Sequence, residues 1–197
     1  MRKLNIFFSR LFGFTQKVEK GEKGEKGEKE YWWHAPSSDF NKYDISKIGM
    51  HSQNYGWGIY FADTAKNAAS NIMLPQSKPI DHIYRLDPEK IEGLAFIHYS
   101  KDLADQIDEV KAIATTFYGK KQFESIKFKK NGHGFYNDIL HVEQITSADQ
   151  IGCAAHYLVN AGIHYGYIKS HTSMLVIYDT SLWVKVERLA LTEDLLI

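Results

Sequence analysis

An α+β fold is predicted for this 197-residue chain. Two observations carry the prediction. Short runs rich in β-formers recur along the sequence, among them Ile59-Tyr60-Phe61-Ala62 and Met174-Leu175-Val176-Ile177-Tyr178-Asp179. Segments of helical character lie between such runs, the clearest over residues 64–73, 102–113 and 147–161. Length and an apolar content of 44% suit one domain with a sizeable core.

Residues 1–16 combine a positive start with an apolar run, as a signal peptide does. Arg10 interrupts the run and no small-x-small cleavage site follows. The stretch is also shorter than the roughly 20 apolar residues that cross a bilayer, so stable membrane insertion is not expected. Residues 17–30 contain three successive Gly-Glu-Lys triplets. Glycine at every third place amid alternating charge builds no core, so residues 1–30 are expected to be a flexible segment and linker, with a folded domain over 31–197.

Tyr31-Trp32-Trp33-His34-Ala35-Pro36 reads as a strand ending at a turn, because Pro36 holds the residue before it extended. In Tyr55-Gly56-Trp57-Gly58-Ile59-Tyr60-Phe61-Ala62-Asp63, two glycines within three residues permit a tight bend and close approach to a ligand. A strand follows, then the Ala-rich helix over 64–73. Residues 81–86 alternate as a strand does. Residues 87–113 are expected to hold helices. Lys120 to Lys130 carries five lysines against one glutamate and is the one strongly basic stretch. It is either a solvated face or a nucleic-acid contact.

Asn131-Gly132-His133-Gly134 reads as a turn whose amides suit a phosphate. Ser147 is the expected N-cap of the helix over 147–161, and Gly162 its end. Residues 163–168 read as a strand, and 174–179 as a strand buried on both faces. Trp183-Val184-Lys185-Val186-Glu187-Arg188 alternates as an outer strand.

Formal net charge is zero, which excludes a global field toward nucleic acid or membrane. The lone Cys153 excludes an internal disulfide framework and a Cys-based zinc site, and no metal is expected. It is compatible with a reducing cytosol, and a cytoplasmic location is expected. Twelve tyrosines offer either stacking faces for an aromatic ligand or a Tyr-rich core.

Taken together, three segments resemble the ADP-ribosyltransferase fold in its His-Tyr-Glu branch, which includes diphtheria-toxin-like enzymes and poly(ADP-ribose) polymerases. Transferase domains of phage polyvalent proteins and bacterial toxin systems are more similar still. The segments are Trp33-His34-Ala35-Pro36 with the stretch through Gly49, then Tyr55 to Asp63, and then Ala161 to Tyr167 with the Met174 run. The resemblance covers residues 31 to 190. It implies split mixed β-sheets with flanking helices around an NAD cleft. It also implies a mono-ADP-ribosyltransferase that takes NAD as substrate and serves as a toxin or effector in a toxin–antitoxin-like setting with a neutralising partner. Its acceptor would be protein, RNA or DNA. The alternatives are an inactive NAD- or ADP-ribose-binding module and an NAD glycohydrolase.

By the same resemblance, His34 bonds a ribose hydroxyl, the Ala35 backbone holds the nicotinamide carboxamide, and Tyr60 stacks on the nicotinamide ring. Ala35 stands where the family has glycine. Asn71 takes the place of a second aromatic on the helix after Tyr60. Met174 takes the place of the polymerase glutamate, and this argues against poly(ADP-ribose) chain synthesis. His171 is a candidate to prepare the acceptor in its stead, as are Glu143 and His164.

Overall fold

The computed structural model describes residues 30–36, 55–70, 81–142, 150–170 and 172–196, and only the backbone of residues 150–153. The N-terminal segment and linker, the Ser147 cap, Asn71, Glu143 and His171 therefore lie outside the described residues, as does the Cys153 side chain.

The chain forms β1 (Trp32–His34), β2 (Ile59–Ala62), α1 (Ala65–Ser70), β3 (His82–Leu86), β4 (Phe96–His98), α2 (Asp108–Tyr118), α3 (Lys120–Ile126), α4 (Gly132–Val142), α5 (Gln150–Asn160), β5 (Tyr165–Ile168), β6 (Met174–Ile177) and β7 (Val186–Ala190). This is an α+β architecture. The strands make one seven-stranded mixed sheet in the order β4-β5-β6-β2-β1-β3-β7, with only the β4–β5 pair parallel among the described residues. Split sheets were expected, yet the halves join. The seam is thin, resting on a single register pair, Trp33 with Ala62.

Strand alternation divides the core between the two faces of the sheet. On β6, Met174 and Val176 point to a cluster that helices α2 to α5 cover with Val110, Phe123, Phe135, Ile139, Ala155 and Leu158. Leu175 and Ile177 point the other way, to a cluster with Ile59, Phe61, Tyr165, Tyr167 and Leu182. The apolar run at β6 is therefore unbroken because both faces are covered. A smaller cluster packs Ala65 and Ala68 of α1 on Ala62 and Ile83.

Local chemistry sets the helix ends. Thr64 Oγ1 accepts from the Asn67 N–H at 3.0 Å, which caps α1. Asp108 and Glu109 in the first turn of α2 meet the positive end of its dipole. At the end of α5, the Gly162 N–H donates to Val159 O at 2.9 Å and the Ile163 N–H to Leu158 O at 2.8 Å.

Four expectations are corrected. Residues 87–113 hold β4, flanked by two short 3-10 turns, and α2 starts at Asp108 rather than Asp102. Asn131-Gly132-His133-Gly134 is the start of α4 rather than a free turn. The Asn131 carboxamide accepts from the Gly134 N–H at 2.8 Å, and the Gly132 and His133 N–H groups donate to Lys101 O and Tyr99 O at 3.0 and 3.1 Å, so these amides are taken up by the helix cap and the preceding segment. The outer strand lies at Val186–Ala190, because Thr180–Lys185 forms a 3-10 turn instead. It is an edge strand, as expected of an outer one.

Candidate active site

The glycine loop ahead of β2 is held by tyrosine hydroxyls. The Tyr60 hydroxyl donates to Gly56 O at 2.6 Å and accepts from the Tyr55 N–H at 3.2 Å. The Tyr136 hydroxyl accepts from the buried Trp57 N–H at 3.0 Å. The Tyr99 hydroxyl donates to Tyr55 O at 2.6 Å, so the Tyr178 hydroxyl supplies the proton in its contact with Tyr99. Burial pushes the Tyr60, Tyr99 and Tyr178 phenols well above their ordinary range, which keeps them protonated as donors. Several of the tyrosines thus tie loop to core.

The glycines answer to the same packing. A Cβ on Gly56, whose φ is +97°, would lie 2.4 Å from Tyr136 Cζ, and one on Gly58 would lie 2.6 Å from Ile177 O. The close approach these glycines allow is to the protein's own tyrosine ring and strand backbone.

His34 closes β1. Its Nδ1–H donates to the Tyr60 carbonyl at 2.8 Å; a carbonyl only accepts, so Nδ1 carries the proton. Burial lowers the imidazole to about 4; the Tyr60 carbonyl opposes that shift and the charge of His82 adds to it. The ring is therefore neutral at pH 7, and Nε2 is a lone-pair acceptor in a fixed orientation. Its surroundings are aromatic: ring centroids of Phe61, Trp183 and Tyr84 lie at 5.5, 5.9 and 6.1 Å.

A lowered imidazole makes stability depend on pH. The unfolded chain takes up the His34 proton near pH 6.5 and the folded protein only near pH 4. Stability therefore falls as pH drops through that window, by between about 1 and 3 kcal/mol for a half-buried group. His34→Gln is expected to flatten this decline relative to wild type in urea unfolding at pH 7, 5.5 and 4.5. An unchanged decline would show that His34 is not held neutral.

The structure brings His34 and β2 together but divides the two rings. Register sets His34 beside Phe61 and Tyr84 on one face. Tyr60, one residue along, packs with Met174 against the helix-covered cluster on the other. Ala35 packs by the small α1 cluster. Met174 pairs with Ala62, so the three segments of the expected motif, distant in sequence, occupy the neighbouring strands β1, β2 and β6. Asp63 fastens the start of β6: its carboxylate accepts from the Ser173 N–H and the Asn67 side chain, both at 2.8 Å.

His164 lies apart. Its Nδ1 bonds Asp179 at 2.9 Å at the Ile59 end of the sheet, away from Met174. The basic stretch is partly neutralised, Lys127 by Glu124 at 2.6 Å and Lys130 by Asp138. Lys120, Lys121 and Lys129 remain exposed, with Phe128 68% exposed beside them. Sequence reasoning missed Trp183 and Tyr84 as neighbours of His34. No local signal marks them, because register and a turn 149 residues on bring them there.

Comparison with protein-family models, with curated proteins and with solved structures found no match to this chain. Among the described residues, no helix is long and apolar enough to cross a membrane.

Proposed function

We propose that this protein is a mono-ADP-ribosyltransferase that cleaves NAD and passes ADP-ribose to a macromolecular acceptor, protein or nucleic acid. The observation that carries the reading is the imidazole of His34, held through Nδ1 on the Tyr60 carbonyl so that a neutral Nε2 accepts from a ribose hydroxyl. The adjacency of β1, β2 and β6 supports it further, since the segments that resemble the family's motifs then lie on neighbouring strands, with His34 on one face of the sheet and Tyr60 and Met174 on the other. In the reaction, the bond from ribose C1′ to the nicotinamide nitrogen breaks and nicotinamide leaves with the electron pair. A bond from C1′ to an acceptor oxygen or nitrogen forms, and the acceptor's proton passes to solvent or a base. His34 contributes orientation of the ribose, which is a large part of such catalysis. Ala35 would hold the carboxamide through its backbone. His171 is the proposed base. A toxin or effector role with a neutralising partner follows from the same reading.

One observation favours a second reading. Met174, at the position of the family's glutamate, supplies neither proton nor charge and packs on the face opposite His34, so a module that binds NAD or ADP-ribose without turnover is the second reading. Incubation with adenylate-labelled NAD and a cell lysate, split into protein and nucleic-acid fractions, separates the readings. Label on a macromolecule is the expected result. Free ADP-ribose alone identifies an NAD glycohydrolase, and binding without turnover identifies the module.

A further inference from the structure

We propose that the aromatic base attached to the ribose held by His34 stacks on the indole of Trp183. The inference rests on the NAD reading and adds to it a residue that reading does not name. A ribose hydroxyl bonded to Nε2 lies about 2.8 Å from it, and its base follows one sugar width further on. The base must lie on the face that His34 occupies. Trp183 is on that face, with its ring centroid 5.9 Å from the imidazole and the planes at 88°. It is half-buried, whereas the flanking Phe61 and Tyr84 rings are buried. Tyr60 faces the other cluster, with its hydroxyl engaged by the glycine loop.

Trp183 is also held in advance. Asp179 accepts from the Ser181 N–H at 3.0 Å and the Ser181 hydroxyl at 2.6 Å, and the Leu182 N–H closes the turn on Asp179 O at 3.0 Å. Leu182 is buried in the core, and the Val186 N–H donates to Trp183 O. Tyr84 braces the indole at 4.8 Å. A ring fixed before binding loses little freedom when a base stacks on it.

Calorimetric titration of NAD, ADP-ribose and nicotinamide into wild type, Trp183→Leu and Trp183→Phe tests the proposal, with tryptophan fluorescence read in parallel. Trp183→Leu is expected to bind NAD about tenfold or more weakly. The same loss should appear for whichever of ADP-ribose or nicotinamide carries the stacked base. Trp183→Phe should keep affinity near wild type while losing most of the quenching that NAD causes. Wild-type affinity in Trp183→Leu, or undiminished quenching in Trp183→Phe, overturns the stacking role and leaves the NAD reading standing. A wild-type protein that binds none of the three probes overturns the NAD reading itself, and the stacking role with it.

Discussion

Gly56→Ala is expected to lower stability by about 3 kcal/mol or more, enough to unfold a protein of ordinary marginal stability at moderate urea. Two effects add. A φ of +97° strains any residue with a Cβ. The new methyl would also lie 2.4 Å from Tyr136 Cζ, and that ring cannot retreat without releasing the buried Trp57 N–H that its hydroxyl holds. Gly93 is the matched control. Its φ is +79°, but a Cβ there meets nothing within 4 Å, so Gly93→Ala should cost only about 1 kcal/mol. Urea midpoints of the two variants decide the point. Equal, mild losses would mean that Tyr136 does not clamp the loop.

His34→Ala should lower the rate of nicotinamide release from NAD by about a hundredfold, the scale on which loss of substrate positioning acts. The variant deletes the one neutral acceptor that the Tyr60 carbonyl orients. It should stay folded, because His34 is half-buried and closes a strand only three residues long. Near-wild-type melting with unchanged turnover would remove His34 from the site.

The strands were the most legible part of the fold. Ile59 to Ala62 and Met174 to Ile177 are apolar on both faces because helices cover one side of the sheet and the Leu182 turn packs on the other. Phe96–His98 escaped notice because three residues show too little alternation, and its partner β5 lies far along the chain. Helix α4 was hidden by Gly132 and Gly134, each of which lowers helix propensity by about 1 kcal/mol. Tertiary packing requires the first of them, since a Cβ on Gly132 would lie 2.4 Å from His98 O. At the site, His34 and the glycine loop were legible as residues, but their faces were not. That Tyr60 projects away from His34 depends on a register that the thin β1–β2 seam sets. Trp183 was read as strand because its neighbours alternate. Asp179 capping turned the segment into a 3-10 turn and carried the indole to His34.

The most direct measurement is calorimetric titration of NAD into the wild-type protein and into His34→Ala at pH 7. On the proposed function, saturable binding to wild type is expected, weakened about tenfold or more when the proposed ribose acceptor is removed. No heat of binding to wild type, or equal affinity in both proteins, would contradict it.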